Sequence, residues 1–366
     1  MFARLAGFFL LAMTMPLVGP AGAQSPSWQD EWKNTLEKAK GQSLSVSIAP
    51  EEAYTTVMAE FSSRFSIKAE PTIMRPSSAL ARIQTEQQSG KFTWDVWMGG
   101  TSNMVNSAAP AGLLAPMEPY FILPEVKDPA NWRHPDFLFG DAGRRVFTNA
   151  NRVEFYVLRN ISVVPEAKLE SWDDFLNPKF KGKISIRDLS VPNGGTFAVA
   201  TGYGVMGPDF VRRLLKDQEP KFFENPQQLE TAVVRGGQAI AIGLESYIWD
   251  KCRADGGCKD VEQLRQFAAA TSAGLSIPKN PPHPEAMKVF VNWYLSKEGQ
   301  EVWVNARAKQ NNSGAVSMRK DVAPFKGHES SLPDFSNPRN YVFVSSEKGS
   351  EEVDATIKIF KEITGH

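Results

Sequence analysis

Residues able to bind a small anion recur in the loops that follow predicted β-strands of this 366-residue chain. Serine and threonine supply hydroxyl groups, glycine permits close approach of a backbone, and a helix that starts in such a loop adds a partial positive charge. Ordinary turn chemistry is the alternative for any single loop, because the same residue types are common in turns. The candidate ligand-binding residues are Glu51, Ser77, Ser78, Thr101, Ser102, Asn193, Gly194, Gly195, Thr196, Glu245 and Tyr247.

Thr196 is the strongest single candidate, because it begins a predicted helix directly after Gly194 and Gly195. Its hydroxyl and the first unpaired N–H groups of the helix would bind the same anionic oxygen. The alternative is that Thr196 only caps its own helix. The sequence leaves both roles open.

Cys252 and Cys258 are the only two cysteines, and the five residues between them, Arg-Ala-Asp-Gly-Gly, predict a turn. In an exported protein this pattern favours a disulfide, with two free thiols as the alternative. A metal site would need further ligands. The histidines, none of which is near either cysteine in sequence, are His134, His283, His328 and His366. We therefore predict no metal site.

No catalytic signature is present in the chain. Neither G-x-S-x-G nor H-E-x-x-H occurs, and no cysteine–histidine pairing is plausible. Residues 202–207 match G-x-G-x-x-G, but a helix precedes this segment and Pro208 follows it, whereas a dinucleotide site needs a preceding strand. Glu51 and Glu52 read as charges at a helix start rather than an acid–base pair. We expect a protein that is not an enzyme and carries no cofactor.

Alternating strands and helices must position the candidate loops. The order β-α-β-α-β at the start of the chain predicts parallel strands with helical crossovers. Strands are predicted at residues 43–48, 67–73, 94–98, 153–158, 183–187 and 238–242, and the later helices at residues 197–203, 208–216, 226–235, 284–295, 298–307 and 351–363. The fold class is therefore α/β, with mainly parallel sheets flanked by helices.

The first 23 residues predict an export signal. Arg4 supplies a positive charge, an apolar stretch follows over residues 5–18, and Ala21-Gly22-Ala23 is a small-residue cleavage site. A membrane anchor is the alternative, but the apolar run is short. The chain has 41 basic and 41 acidic residues, and this balance argues against a nucleic-acid partner. We expect a protein outside the cytoplasm, in the periplasm.

Three segments carry a family resemblance. They are Ala-Gly-Leu-Leu-Ala-Pro at residues 111–116, Ser-Trp-Asp-Asp-Phe-Leu-Asn-Pro-Lys-Phe-Lys-Gly-Lys-Ile at residues 171–184, and Leu-Ser-Lys-Glu-Gly-Gln at residues 295–300. In this order behind an export signal, the chain resembles the extracellular solute-binding proteins of ATP-binding-cassette (ABC) importers, in the iron(III)-type group. The resemblance covers about residues 44–305.

The resemblance implies two α/β lobes joined by a two-strand hinge, with a small ligand held between them. It implies one lobe of residues 24–147 plus 274–366 and a second of residues 148–273. It also implies delivery of the ligand to an ABC permease in the inner membrane. We expect a monomer.

This chain departs from the family pattern at the residues that would bind the ligand. Iron(III)-binding members typically use a pair of adjacent tyrosines in the second lobe, and the matching segment here, residues 245–248, has only Tyr247. Helix N-termini with glycine, serine and threonine suit anions better than a metal. We therefore predict a small anionic solute, such as an organic acid, a phosphonate or a phosphate ester. Iron(III) is the alternative, and a secreted hydrolase is a second alternative.

Overall fold

The computed structural model describes residues 27–365, apart from residues 135, 137, 166–167, 311–313, 334 and 336–344. The predicted export signal lies outside the described residues. Within them, no helix combines the length and the apolar character that a membrane crossing needs.

The N-terminal part of the chain builds a parallel β-α-β-α-β unit. After α1 (Trp28–Ala39) come β1 (Ser43–Ile48), α2 (Glu52–Phe65), β2 (Lys68–Ile73), α3 (Pro76–Gln88) and β3 (Val96–Gly100). The strand β1 lies between β2 and β3 and is parallel to both. The carboxyl ends of all three strands therefore lie at one edge of this sheet, where a ligand site is expected in an open parallel sheet.

Two long strands join this sheet to a second one. Strand β4 (Leu114–Ala115) and a short helix α4 (Pro124–Lys127) come first, and β5 (Val146–Asn160) then pairs antiparallel with β10 (Ala269–Pro278). On one side β10 pairs antiparallel with β3, and on the other β5 pairs antiparallel with β8 (Ile240–Glu245). The strand order is β2-β1-β3-β10-β5-β8-β6-β7, where β6 is Ile184–Arg187 and β7 is Lys221–Phe223. In addition, β4 pairs with β10, and β9 (Val261–Gln263) pairs with β5.

The second sheet repeats the parallel arrangement. The strand β6 (Ile184–Arg187) is parallel to β8 and to β7 (Lys221–Phe223). The helices of this part are α5 (Gly194–Met206), α6 (Pro208–Lys216), α7 (Pro226–Val234) and α8 (Ser246–Ala254), and β9 (Val261–Gln263) follows. The mixed α/β class predicted from the sequence is confirmed. Five of the predicted strands recur with their ends within three residues, whereas the strand predicted at residues 153–158 is the later part of the longer β5.

Two principal cores form on either side of the β5–β10 pair. One lies around β1, β3 and α2 and includes α9 (Pro284–Leu295) and α10 (Lys297–Lys309), with aromatic contacts such as Phe61 on Phe290 at 5.1 Å. The other lies around β6, β8 and α5 and includes Trp172 and Phe175 of the predicted family segment. Each core buries the apolar face of its own helices, which is the main stabilising term in such layers.

The last helix crosses to the second sheet. Helix α11 (Glu347–Thr364) packs against α5 and α6, and Ile359 and Phe360 are buried in the second core. Its N-terminus stays on the first sheet's side, where the Glu347 backbone N–H donates to the Gly140 carbonyl at 3.2 Å. This packing differs from the predicted boundary, which assigns residues 274–366 to one lobe. The reason is the apolar face of α11, which finds its partner surface on α5 and α6.

The disulfide predicted from the sequence is present between Cys252 and Cys258, with Cα atoms 5.7 Å apart. It ties the end of α8 to the loop before β9 within a third buried cluster. In the chain-entropy model a loop this short restricts the unfolded chain by about 2–3 kcal/mol.

We expect the double variant Cys252→Ser/Cys258→Ser to lose about 2–3 kcal/mol of unfolding free energy, measured by urea denaturation. Thiol titration of the unreduced, denatured wild type should find no free thiol. An unchanged denaturation midpoint in the double variant, or two reactive thiols in the wild type, would contradict this expectation.

Glu352 is a buried carboxylate where α11 meets α5. A Cβ atom at Gly204 would lie 2.8 Å from its Oε1, so the missing side chain makes room for the carboxylate. Burial raises the pKa of Glu352 above its ordinary value of 4.5, an effect that the Lys348 ammonium opposes. The folded state therefore binds the proton more tightly than the unfolded state does.

Because the folded pKa is raised, stability falls as the pH rises from about 4.5 through the folded pKa. We expect Glu352→Gln to increase the melting temperature at pH 7 and to flatten its pH dependence in that window. Asp354→Asn, an exposed carboxylate on the same helix that does not influence the pKa of Glu352, is the matched control and should change neither. A lower melting temperature for Glu352→Gln at pH 7 would show that the charged carboxylate is favourable.

Candidate functional site

A cleft of about 320 Å³ opens where β5 and β10 pass between the two sheets. Both strands contribute to its floor, and the residue before α2 together with residues of α5 and α10 forms its walls. The lining residues are Glu51, Gly100, Ser102, Ala150, Arg152, Glu154, Phe155, Phe197, Thr271, Ser272, Ala273, Trp303, Arg307, Gly314 and Ser345.

The ends of β1 and β3 place two of the predicted residues in this cleft. Glu51 immediately precedes α2, and Ser102 follows β3. The Ser102 hydroxyl lies 3.1 Å from the hydroxyl of Ser345, just before α11. Thr101 is fully buried next to Ser102 but does not line the cleft, and its hydroxyl has no hydrogen-bond partner among the described residues.

Helix α10 supplies two further lining residues, Trp303 and Arg307, which lie one helical turn apart. The Arg307 side chain is 4% exposed, and its Nη1 donates to the Glu51 carboxylate in a short contact. Burial lowers the pKa of Arg307, the Arg152 guanidinium lowers it further, and the Glu51 carboxylate opposes both effects. The guanidinium thus has lost much of its hydration and lies near a second positive charge.

Strand β5 contributes Arg152 and Glu154, which point to one face because side chains alternate along a strand. The Arg152 Nε donates to Glu154 Oε2 at 2.7 Å, and the Ser246 hydroxyl donates to Glu154 Oε1 at 3.1 Å. Gly314 has a φ of +89°, and a Cβ atom there would lie 2.6 Å from Arg152 Cδ. A side chain at position 314 would therefore collide with the arginine.

The predicted turn at the start of α5 is used for helix capping. The Asn193 side chain accepts from the Gly195 N–H at 2.7 Å, and the Thr196 hydroxyl accepts from the Asn193 N–H at 2.8 Å. Asn193, Gly194, Gly195 and Thr196 do not line the cleft, whereas the next residue, Phe197, does. A ligand role for these four residues stays a prediction.

Gly194 and Gly195 are required by close packing. A Cβ atom at Gly194 would lie 2.4 Å from the Gly243 carbonyl oxygen, and one at Gly195 would lie 2.4 Å from the Arg187 carbonyl oxygen. The start of α5 therefore rests directly on the ends of β6 and β8. This contact presents Phe197 to the cleft, where its ring lies 5.0 Å from that of Phe155.

The remaining predicted residues lie outside the cleft lining. Glu245 accepts from Arg187 Nη1 at 2.6 Å, and the adjacent Tyr247 is 57% exposed. Ser77 and Ser78 lie exposed in the first turn of α3. Their ligand-binding roles also stay predictions.

Sequence reasoning missed the charged residues Arg152, Glu154 and Arg307, together with Trp303. The arginine and glutamate of β5 belong to no recognisable motif, and α10 was predicted only as a packing helix. Their only local signal is spacing. Arg152 and Glu154 lie two residues apart on a strand, and Trp303 and Arg307 lie four residues apart on a helix. The charged groups that line the cleft carry no net charge, and the described residues contain no group of three histidine, cysteine, aspartate or glutamate side chains suited to a metal ion.

Residues 56–324 match the family model of the bacterial extracellular solute-binding proteins. A Haemophilus influenzae protein, named only as uncharacterized, is 26% identical over 274 residues, which is 72% of this chain and 75% of that protein.

Solved structures share the fold over most of the chain. A Trichodesmium protein (IdiA, FutA) in complex with iron and citrate is 17% identical, with a TM-score of 0.65 over 88% of this chain and 99% of that one. The periplasmic binding protein AfuA from Actinobacillus pleuropneumoniae, with bound fructose-6-phosphate, is 20% identical, with a TM-score of 0.51 over 88% and 98%. These likenesses establish the two-lobed fold.

We expect Thr196→Ala to cost about 1 kcal/mol of unfolding free energy, because the Asn193 N–H loses its acceptor. The same variant should bind an anion such as citrate as the wild type does, since its hydroxyl is already engaged within the turn. Chemical denaturation and calorimetric titration measure the two quantities. A loss of affinity at unchanged stability would instead place Thr196 on the ligand.

Proposed function

Since the chain belongs to the bacterial extracellular solute-binding proteins, we propose that it is the periplasmic binding component of an ABC importer that captures a small anionic solute. The solute is held in the cleft between the lobes and passed to a permease in the inner membrane. The export signal predicted at residues 1–23 supports the location.

The observation that supports an anionic ligand is the pair of guanidinium groups in the cleft. Arg307 is almost fully buried, and Arg152 is close enough to depress its pKa. Guanidinium groups bind carboxylate and phosphate oxygens through parallel hydrogen bonds. The hydroxyls of Ser102 and Ser345 line the same cleft and add neutral donors.

The proposed capture mechanism is closure of the lobes about β5 and β10. We assign residues 24–147 and the chain from residue 274 to the start of α11 to the first lobe, and residues 148–273 together with α11 to the second. Lobe closure around a ligand is the usual motion of two-lobed binding proteins. A ligand that contacts Arg307 from the first lobe and Phe197 from the second would stabilise the closed form.

We propose binding without a chemical reaction. The carboxylates of the cleft, Glu51 and Glu154, are each paired with an arginine. The groups in the cleft therefore serve recognition.

A thermal-shift panel tests the proposal. The probes are citrate, fructose-6-phosphate, iron(III) alone and spermidine, added separately to the purified mature protein. We expect an anion to raise the melting temperature, because a ligand at 100 times its Kd stabilises by about 2.7 kcal/mol. Stabilisation by iron(III) alone would support the metal alternative, and stabilisation by spermidine alone would reject an anionic ligand.

The variant Arg152→Gln tests whether the anion binds in the cleft. We expect it to weaken anion binding by about 10- to 100-fold, since a hydrogen bond to a charged group contributes about 1.5–3 kcal/mol. Arg253→Gln, an exposed arginine of α8 away from the cleft, is the control and should bind as the wild type does. Equal affinities in all three proteins would move the anion site elsewhere.

A further inference from the structure

Helix α10 presents two buried N–H donors that have no acceptor among the described residues. They are the indole Nε1–H of Trp303, a residue with no exposed surface, and the guanidinium Nε–H of Arg307. Both residues line the cleft between the lobes. A buried donor without an acceptor is unfavourable, so each such group calls for a water or a ligand that accepts from it.

The two donors belong to one local unit. Residues four apart on a helix are neighbours on the same face, and the Arg307 guanidinium carbon lies 5.2 Å from the centre of the Trp303 ring. The Trp303 ring is held in turn by Tyr54, whose ring centre is 4.6 Å away. Because both side chains are packed, neither donor can turn freely to find a partner.

The Arg307 guanidinium is only partly used within the protein. Its Nη1 donates to Glu51, which fixes the plane of the group and leaves the Nε–H available. The carboxylate also offsets part of the positive charge. This pairing holds the guanidinium of a residue that lines the cleft in one orientation before any ligand arrives, and such orientation reduces the entropy lost on binding.

We infer that Trp303 Nε1–H and Arg307 Nε–H together form a subsite for one oxyanion group, a carboxylate or a phosphate, of the bound solute. The inference rests on the proposed function and deepens it, because it assigns the acidic group of the solute to α10 of the first lobe. The remainder of the solute then faces Phe155 and Phe197 across the cleft. A bound water that accepts from both donors is the alternative that the experiment must exclude.

The chain offers matched controls for both residues. Trp172 is equally buried and its Nε1–H also has no acceptor among the described residues, yet it lies in the second core and not in the cleft. Arg187 has an unpartnered buried Nε and pairs with Glu245, as Arg307 pairs with Glu51, and it too is outside the cleft lining. Trp172→Phe and Arg187→Lys therefore remove the same chemical groups as the α10 variants, but at positions outside the cleft.

The affinity test compares Trp303→Phe with Trp172→Phe and Arg307→Lys with Arg187→Lys. Calorimetric titrations with citrate report a carboxylate, and those with fructose-6-phosphate report a phosphate. We expect each α10 variant to weaken binding of the preferred anion by about 10- to 100-fold, because a hydrogen bond to a charged group is lost. The two controls should retain the wild-type affinity.

A spectroscopic readout covers the case in which Arg307→Lys does not fold. In protein labelled with ¹⁵N in its indole groups, the resonance missing from Trp303→Phe identifies Trp303. Addition of the bound anion should move this resonance, while the one assigned through Trp172→Phe stays in place. A Trp303 resonance unmoved by an anion that the wild type binds would show that the donor faces only water, and would overturn the subsite.

The outcomes separate this inference from the proposed function. If the wild type binds neither citrate nor fructose-6-phosphate, the two anions of the panel, the proposed function is wrong and the subsite with it. If the wild type binds an anion and the α10 variants bind it equally well, the proposed function stands and the subsite alone is wrong.

Discussion

The antiparallel pairing of β5 with β10 is the constraint on which the cleft depends. These two strands connect the parallel sheets, and their paired backbones form the floor on which the lining side chains stand. The pairing shifts register between Ala273 and Gly274. A Cβ atom at Gly274 would lie 2.0 Å from the Phe147 carbonyl oxygen, so the close approach of the strands at this point requires glycine.

Charge pairing among the residues that line the cleft is the second organising interaction. Arg307 of α10 meets Glu51 before α2, and Arg152 meets Glu154 on β5. Desolvation of such groups is costly, and the paired charges offset that cost only while both partners remain. The two pairs hold their arginines in fixed orientations near each other. The guanidinium groups that line the cleft are therefore already positioned, and the carboxylates balance their positive charge.

Helix α11 adds a third connection between the two sides. Its N-terminal residues contact the first sheet's side, where Ser345 reaches Ser102 and Glu347 reaches the loop at Gly140 and Ala142. Its body lies on α5 and α6, with Phe360 in contact with Phe222. Because Ser345 lines the cleft and α11 lies on the second sheet, this segment connects the two sides of the cleft beside the pairing of β5 with β10.

The sequence by itself determined the features that depend on short-range order. Strand and helix periodicity predicted the ends of β1, β6, α6 and α9 to within about one residue. The spacing of six between Cys252 and Cys258 indicated their disulfide. The order of three segments indicated the family, and these segments lie at residues 111–116, 171–184 and 295–300. Glu51 and Ser102 were found because strand ends converge in any open parallel sheet. Only the tertiary structure brought Arg307 to Glu51 across 256 residues and laid α11 on the second sheet. Local patterns record which face of an element is apolar, but they do not record which distant element will cover it. The residues of the cleft are set by that choice of partner.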